Sequence, residues 1–400
     1  MTSTLPDELS WDPFDTEIDT APYEIWRRLR DEAPVYRNER FDFYALSRFD
    51  DVDRASRDPA TFSSAHGTVL ELMTDEPYPD APLIFLDPPE HTRLRALVSR
   101  AFTPRRVNEL EDRIRELCAD FLDRQVGRDG FDYVQDFAAR LPSLVISSLF
   151  GVPLAEQDDV RHLIDTMFII EPGVGTMNPT ALQATADLNT YFAGLLEERR
   201  ARPTDDMLSA LNAAELRLDD GTVRRLSTPE AALFAVMLVS AGTETVARLL
   251  GWAAVTLAAH PDQRAALAAD PTLVPNAVEE LLRYEAPSPV QARYVTSPVE
   301  LHGVTIPRGS KVLLLTGSAG RDERQYPDAD RFDVRREFST HLSFGYGVHF
   351  CLGAALARLE SRIALEETLR RFPEWDVDHD RAVRLHTSTV RGYSSVPIRI

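Results

Sequence analysis

Apolar positions along the chain recur mostly at spacings of three and four. Leu110, Ile114, Leu117, Cys118, Phe121 and Leu122 fall on one face of a helix in this way. A second stripe, Leu352, Ala355, Leu356, Leu359, Ile363 and Leu369, predicts a helix directly after Cys351. The most demanding pattern lies between Thr228-Pro229, a start signal, and His260-Pro261, a stop. About 32 residues rising roughly 1.5 Å each make a helix of roughly 48 Å. A compact chain of this length has a radius of gyration of roughly 21 Å, so such a helix runs through the whole body and argues for a single domain, 1–400. Strand patterns are fewer. "PVYRNERFDFYALSRF" (34–49) reads as a hairpin, and "PVELHGVTIPRGSKVLLLTGS" (298–318) carries turn signals at His302-Gly303 and Pro307 to Gly309. The predicted class is mainly α with minor β sheets. Two stretches break the periodicity, 74–90 and "EPGVGTMNPT" (171–180), and read as mobile surface loops.

Charge changes the picture of partners. With 44 Lys plus Arg against 64 Asp plus Glu, the net charge is −20, which argues against nucleic acid. The first 17 residues are acidic without an apolar core, unlike a signal peptide or membrane anchor. The longest apolar run, Ala231 to Gly242, is short of the roughly 20 residues that span a bilayer. Two cysteines make neither a disulfide framework nor a multi-cysteine zinc site. A soluble, cytoplasmic monomer is the expectation.

One of those cysteines sits in "FGYGVHFCLG" (344–353), at the start of a predicted helix. A helix N-terminus favours thiolate over thiol, and glycines at 345, 347 and 353 let the backbone approach something bulky. The glycine spacing is not the dinucleotide fingerprint, and no strand precedes it. A thiolate in such a loop suits a metal needing one protein ligand, haem iron being the obvious case. On the long helix, Gly242, Thr243, Glu244 and Thr245 interrupt an apolar surface. Two readings stay open: close helix packing with threonines bonding back a turn, or a bulge that leaves a groove beside an acid and an alcohol able to relay protons.

"FGYGVHFCLG" resembles the F-x-x-G-x-x-x-C-x-G signature of the cytochrome P-450 family of haem-thiolate monooxygenases, with Phe344, Gly347, Cys351 and Gly353 in the signature positions. Three further motifs resemble family marks in order. "AGTET" (241–245) is similar to A-G-x-[D/E]-T, "EELLR" contains an E-x-x-R at Glu280 and Arg283, and "HTRLR" an H-x-x-x-R at His91 and Arg95. The resemblance implies a single, mainly helical domain and haem b (heme b, iron protoporphyrin IX) with Cys351 as the metal ligand. It implies cofactor contacts from Ala241, Gly242, Phe344, Gly345 and Gly353, and propionate contacts from His91, Arg95, Arg293 and His349. Glu244 and Thr245 take the catalytic acid and alcohol positions. Glu280 and Arg283 form a structural pair completed by a basic residue, with Arg331 the first candidate and Arg335 the alternative.

The implied reaction is hydroxylation of a hydrophobic small molecule with O2 as co-substrate. Its two electrons come from NAD(P)H through ferredoxin reductase and ferredoxin, docking on basic residues such as Arg105, Arg106 and Arg358. A peroxide-using or non-hydroxylating enzyme is the alternative, against which Glu244 and Thr245 both speak. A haem-based binder or sensor is another, for which no signalling domain is visible. Segments that vary most in the family imply substrate contacts at Leu70, Leu72, Met73, Phe168, Ile169, Ile170, Leu233, Val236, Met237, Ser240, Ala241, Val290 and Val390. These are largely apolar, and no basic cluster stands ready for a substrate carboxylate. A neutral lipid, terpenoid, steroid or polyketide is therefore expected.

Overall fold

The structure, a computed structural model, describes residues 9–79, 81–99, 102–169, 178–217, 220–337, 340–386 and 390–400. Most of these residues are helical. The helices used below are α1 (Tyr23–Glu32), α2 (Phe49–Arg57), α3 (Glu90–Ser99), α4 (Glu111–Asp123), α5 (Arg140–Leu149), α6 (Gln157–Met167), α7 (Pro179–Ala201), α8 (Thr228–Ala259), α9 (Val274–Tyr284) and α10 (Ala354–Arg371). The chain clusters into two compact units, each assembled from three separate segments. One takes 1–88, 269–351 and 383–394; the other takes 89–268, 352–382 and 395–400.

The first unit is built on a sheet of β1 (Val35–Asn38), β2 (Phe43–Leu46), β3 (Phe62–Ser63), β4 (Gln291–Val295) and β5 (Lys311–Leu314), in the order β1-β2-β5-β4-β3. The hairpin expected over 34–49 is β1 and β2, with Val35 opposite Leu46. Side-chain alternation sends Phe43, Ala45, Leu313 and Ala292 to one face, where they pack with Trp26 and Leu29 of α1. Val35, Leu46, Val312, Leu314 and Val295 go to the other, against Phe49 and Val52 of α2. The turn at His302-Gly303 joins Val299–Leu301 to Val304–Ile306, with φ of 51° and 76° at its two central residues. That pair of left-handed conformations suits the right-handed twist of a two-residue hairpin. The stretch 74–90, expected to be mobile, is tied back instead. Thr74 N–H donates to the His66 carbonyl at 3.0 Å and Tyr78 N–H to that of Ala65 at 3.1 Å. Asp87 accepts from the Ser63 hydroxyl and the Ser64 amide.

The second unit is organised by α8, whose 32 residues match the predicted span. Ser227 caps it, Glu230 completes a capping box, and Pro229 occupies the first turn. It packs against α5, α7 and α10. Trp375 Nε1–H donates to the Ala254 carbonyl at 3.0 Å, and Arg264 stacks on the Trp375 ring. The whole helix is long and apolar enough to cross a membrane, which the run Ala231 to Gly242 did not suggest; 67% of its most apolar stretch is buried inside the protein. A small sheet pairs Pro397–Arg399 with Gly130–Asp132 and with Asp376–Val377. Ile170, the remainder of 171–177, and the late loop at 387–389 lie outside the described residues.

Helix α10 buries more than its predicted stripe, including Glu360. Burial pushes the Glu360 carboxyl from 4.5 up to about 8. The folded chain thus keeps a proton that the unfolded chain has lost, so this contribution to stability is full below pH 4.5 and declines as pH rises towards 8. Glu360→Gln is expected to flatten that decline, gaining on the order of a few kcal/mol over the parent at pH 8 and little at pH 5. Urea midpoints at the two pH values measure it.

Candidate functional site

The cysteine loop belongs to the first unit. Cys351 N–H donates to the Phe344 carbonyl at 2.8 Å, and Gly345 N–H to Leu342 at 2.8 Å, so the loop closes on itself. Gly345 and Gly347 adopt φ of 66° and 67°, a region that penalises a Cβ. At Gly347 a Cβ would fall 2.5 Å from the Ser56 carbonyl oxygen at the end of α2. Gly347→Ala is therefore expected to cost about 1–3 kcal/mol, read as a lower thermal midpoint. Arg57 covers the Tyr346 ring at 3.7 Å, and the rings of His341, Phe344 and Phe350 form a row. The Cys351 side chain is half-buried beside Phe350, which is 37% exposed. Helix α10 starts at Ala354 with Gly353 as its N-cap, so the cysteine precedes the cap by two residues. Nothing lies within 4 Å of a Cβ built on Gly353.

Among the described residues no group of three or more His, Cys, Asp or Glu could hold a bare ion. A metal on Cys351 must bring its other ligands with it, which fits a haem. Arg293 fits the same group. It is buried on β4, donates to the Ala292 carbonyl at 2.7 Å, and burial pushes its pKa down to about 10 against the pull of Asp87. A buried guanidinium of this kind suits a propionate carboxylate. His349 closes a short 3₁₀ turn, Gly347–His349, in the same loop.

The second unit carries the other site residues. His91 is fully buried on α3, with Arg95 one turn further on and half-buried. On α8 the bulge, one of the two open readings, does not occur: the helix is unbroken, and Thr243 and Thr245 donate to the carbonyls of Val239 and Ala241, each at 2.9 Å. This is the packing reading of the motif. Gly242 faces α5, where a Cβ would meet the Ile146 side chain at 3.4 Å, about van der Waals contact. Glu244 is buried and accepts from Arg248 Nε at 2.7 Å. Burial raises its pKa, opposed by Arg248 and aided by Asp165. Leu233, Met237, Ala241 and Thr245, at i, i+4, i+8 and i+12, form one stripe left half-buried or exposed, with Leu238 and Gly242 half-buried at its side. Val236 and Ser240 lie on its buried flank. Phe168 follows α6 and is half-buried, while Ile169 is exposed.

Of the remaining apolar candidates, Leu70, Met73 and Val290 share one cluster in the first unit. Leu72 is half-buried, with its carbonyl held by the Tyr78 hydroxyl at 2.6 Å, and Val390 is half-buried before Arg391. Arg105 and Arg106 are exposed, facing Glu109 and Asp205 at 3.5 Å, and Arg358 is half-buried.

The structural trio needs a correction. Glu280 and Arg283 are fully buried and pair in a fork, Nε to Oε2 and Nη2 to Oε1, each at 2.7 Å. Arg283 also donates to the carbonyls of Gly320 and Ala329. The second cation on Glu280 is neither Arg331 nor Arg335 but Arg336, whose Nε donates to Oε1 at 3.2 Å. Arg331 turns outward, 69% exposed, and contributes its carbonyl, which accepts from Arg336 at 2.7 Å. Arg335 is exposed. Three arginines within six positions left the sequence ambiguous, whereas Arg248, partner of Glu244, was legible as an i,i+4 acid-base pair.

The cytochrome P450 family model matches residues 42–397. Cytochrome P450 123 of Mycobacterium tuberculosis is 44% identical over 396 residues, 98% of this chain and 97% of that protein. The vitamin D(3) 25-hydroxylase of Pseudonocardia autotrophica is 39% identical, covering 94% and 93%, and the 6-deoxyerythronolide B hydroxylase of Saccharopolyspora erythraea 36%, covering 100% and 99%. The solved structure of CYP109Q5 from Chondromyces apiculatus superposes with a TM-score of 0.87 at 35% identity, covering 97% of each chain. A haem-thiolate cofactor goes with that family, and this chain belongs to the cytochrome P450 monooxygenases.

Proposed function

We propose that the protein hydroxylates a neutral hydrophobic molecule, a lipid, terpenoid, steroid or polyketide, with electrons delivered from NAD(P)H by ferredoxin reductase and ferredoxin. The observation that carries this reading is the Cys351 loop: one half-buried thiol, a self-closed backbone with two left-handed glycines, and no multi-ligand cluster elsewhere among the described residues. Cys351 Sγ is the protein's ligand to the haem, which when bound supplies activation of O2 for insertion of one oxygen atom into a C–H bond. Arg293 neutralises a propionate, and His91, Arg95 and His349 share that task. Glu244, its carboxyl pKa raised by burial against the pull of Arg248, is the acid next to Thr245, whose Oγ1 passes protons once it leaves the Ala241 carbonyl. Leu233, Met237 and Ala241 form an apolar strip that orients the substrate and excludes water.

Substrate class rests on that apolar strip and on two relatives named for vitamin D3 and 6-deoxyerythronolide B. Since each compact unit draws on three separate segments, we read 1–400 as one domain acting as a soluble cytoplasmic monomer. Two spectra test the proposal. Reduced protein with CO should give the red-shifted Soret band of thiolate ligation; a histidine-type band in fresh protein sinks the Cys351 assignment. Ferric protein titrated with sterols, terpenoids, long-chain lipids and macrolides should move from low to high spin with one class. Tighter binding of small polar acids than of any of these would overturn the substrate reading.

A further inference from the structure

The first unit buries a charge network that none of the motifs above account for. Glu285, just past the end of α9, receives Arg391 Nη1 on Oε2 at 2.7 Å. Its Oε1 accepts from Arg321 Nη2 at 3.1 Å and from the Tyr23 hydroxyl. The three charged side chains are only 3–5% exposed. Arg391 further donates to the Asp19 carbonyl at 2.8 Å, to Tyr23 Oη at 3.1 Å and to the Thr20 carbonyl at 3.2 Å. Arg321 donates to the Tyr284 carbonyl at 2.9 Å and lies over the Tyr284 ring. Removing such charges from water costs several kcal/mol each before pairing, so apolar packing would stabilise this place at least as well. A network kept under those terms points to placement of something that must not drift.

What it places is visible in the backbone. Arg391 N–H donates to the Pro287 carbonyl at 2.8 Å. Pro287 belongs to the turn that runs from Glu285 to Val290, which is also held by Thr316 Oγ1 to the Ser288 carbonyl and Gly317 N–H to the Pro289 carbonyl. Arg391 therefore grips this turn twice, by its own amide and through Glu285. Val390 precedes it directly, and Val290 ends the turn in the cluster that holds Leu70 and Met73. Two segments a hundred residues apart, each contributing an apolar substrate candidate, are joined by the residue 391 amide on Pro287 and by the Arg391 side chain on Glu285.

We propose that Arg391 is a positioning residue for substrate selection, setting the distance between the Val290 and Val390 segments through Glu285, Tyr23 and the Pro287 carbonyl. The inference rests on the proposed function, and its test separates the two. Holoprotein carrying Arg391→Lys keeps the charge but loses the multiple directed donors. It is titrated with imidazole, which needs only the iron, and with clotrimazole, which also needs the apolar walls, both read by the Soret shift. Imidazole affinity should stay within about twofold and clotrimazole affinity fall about tenfold. Amide exchange should rise together in peptides covering 285–292 and 390–395, without a matching rise over α10. Equal weakening of both azoles, or a lower thermal midpoint with the azole ratio unchanged, overturns the positioning role and leaves a fold staple. Tyr23→Phe, which removes one hydroxyl, should shift the ratio in the same direction by less, and carries the test if Arg391→Lys does not fold. Parent protein that gives neither an azole shift nor a thiolate-type CO band refutes the haem reading itself.

Discussion

Replacing Cys351 by serine is expected to abolish the red-shifted CO band and to lower monooxygenase turnover at least about a thousandfold, while the fold survives. The loop is held by the residue 351 amide donating to Phe344, which serine retains, and by the glycines at 345 and 347. The side chain itself is half-buried. Circular dichroism and the urea midpoint of the apoprotein should therefore stay close to those of the parent. Cys118→Ala is the control. Cys118 is fully buried on α4 and burial pushes its thiol well above the ordinary range, so it is a core side chain and no metal ligand. The control should keep the CO band at a modest loss of stability. A band that persists in the Cys351 variant and disappears in the Cys118 variant would reverse the assignment.

The second large effect is structural. Arg283→Ala removes both hydrogen bonds of the fork on Glu280 and the donors to the carbonyls of Gly320 and Ala329, leaving a fully buried carboxylate with Arg336 and the Asp333 amide. Breaking a buried pair from one side costs about 3–5 kcal/mol, enough to prevent accumulation of holoprotein at 37 °C. Arg336→Ala, at a more peripheral contact, should cost about 1–3 kcal/mol, and Arg331→Ala less than about 0.5 kcal/mol because its useful atom is a carbonyl. Urea midpoints of the three variants decide the order. Arg331→Ala as damaging as Arg336→Ala contradicts it.

These contrasts show where sequence reasoning held and where it ended. The span of α8 was legible because Pro229 and His260-Pro261 punctuate it, and the hairpin of β1 and β2 because β-branched and aromatic residues flank a polar break. Cys351 and the loop glycines were legible from their place ahead of a helical stripe, and Phe344 only through the resemblance to the family signature. Arg336 was not, since which of several adjacent arginines turns inward depends on a loop conformation that no period encodes. Of the two readings open at Gly242 to Thr245, the bulge gives way for a local reason: a threonine hydroxyl can satisfy itself on the carbonyl one turn back without disturbing the helix. Nor could Glu360 or the Glu285 network be read, because both become special only when segments distant in sequence bury them.

The pairing of Gly130–Asp132 with Pro397–Arg399 sets the schedule on which the chain can fold. A strand near residue 130 is translated early but has no partner in that sheet until Pro397–Arg399 has been made. Folding during synthesis consequently stops short in both units, and helices such as α8 emerge apolar and incompletely covered. That interval is when chaperones and premature association compete for this chain. A change that breaks the Pro397–Arg399 strand acts on yield at that stage, long before it could act on catalysis.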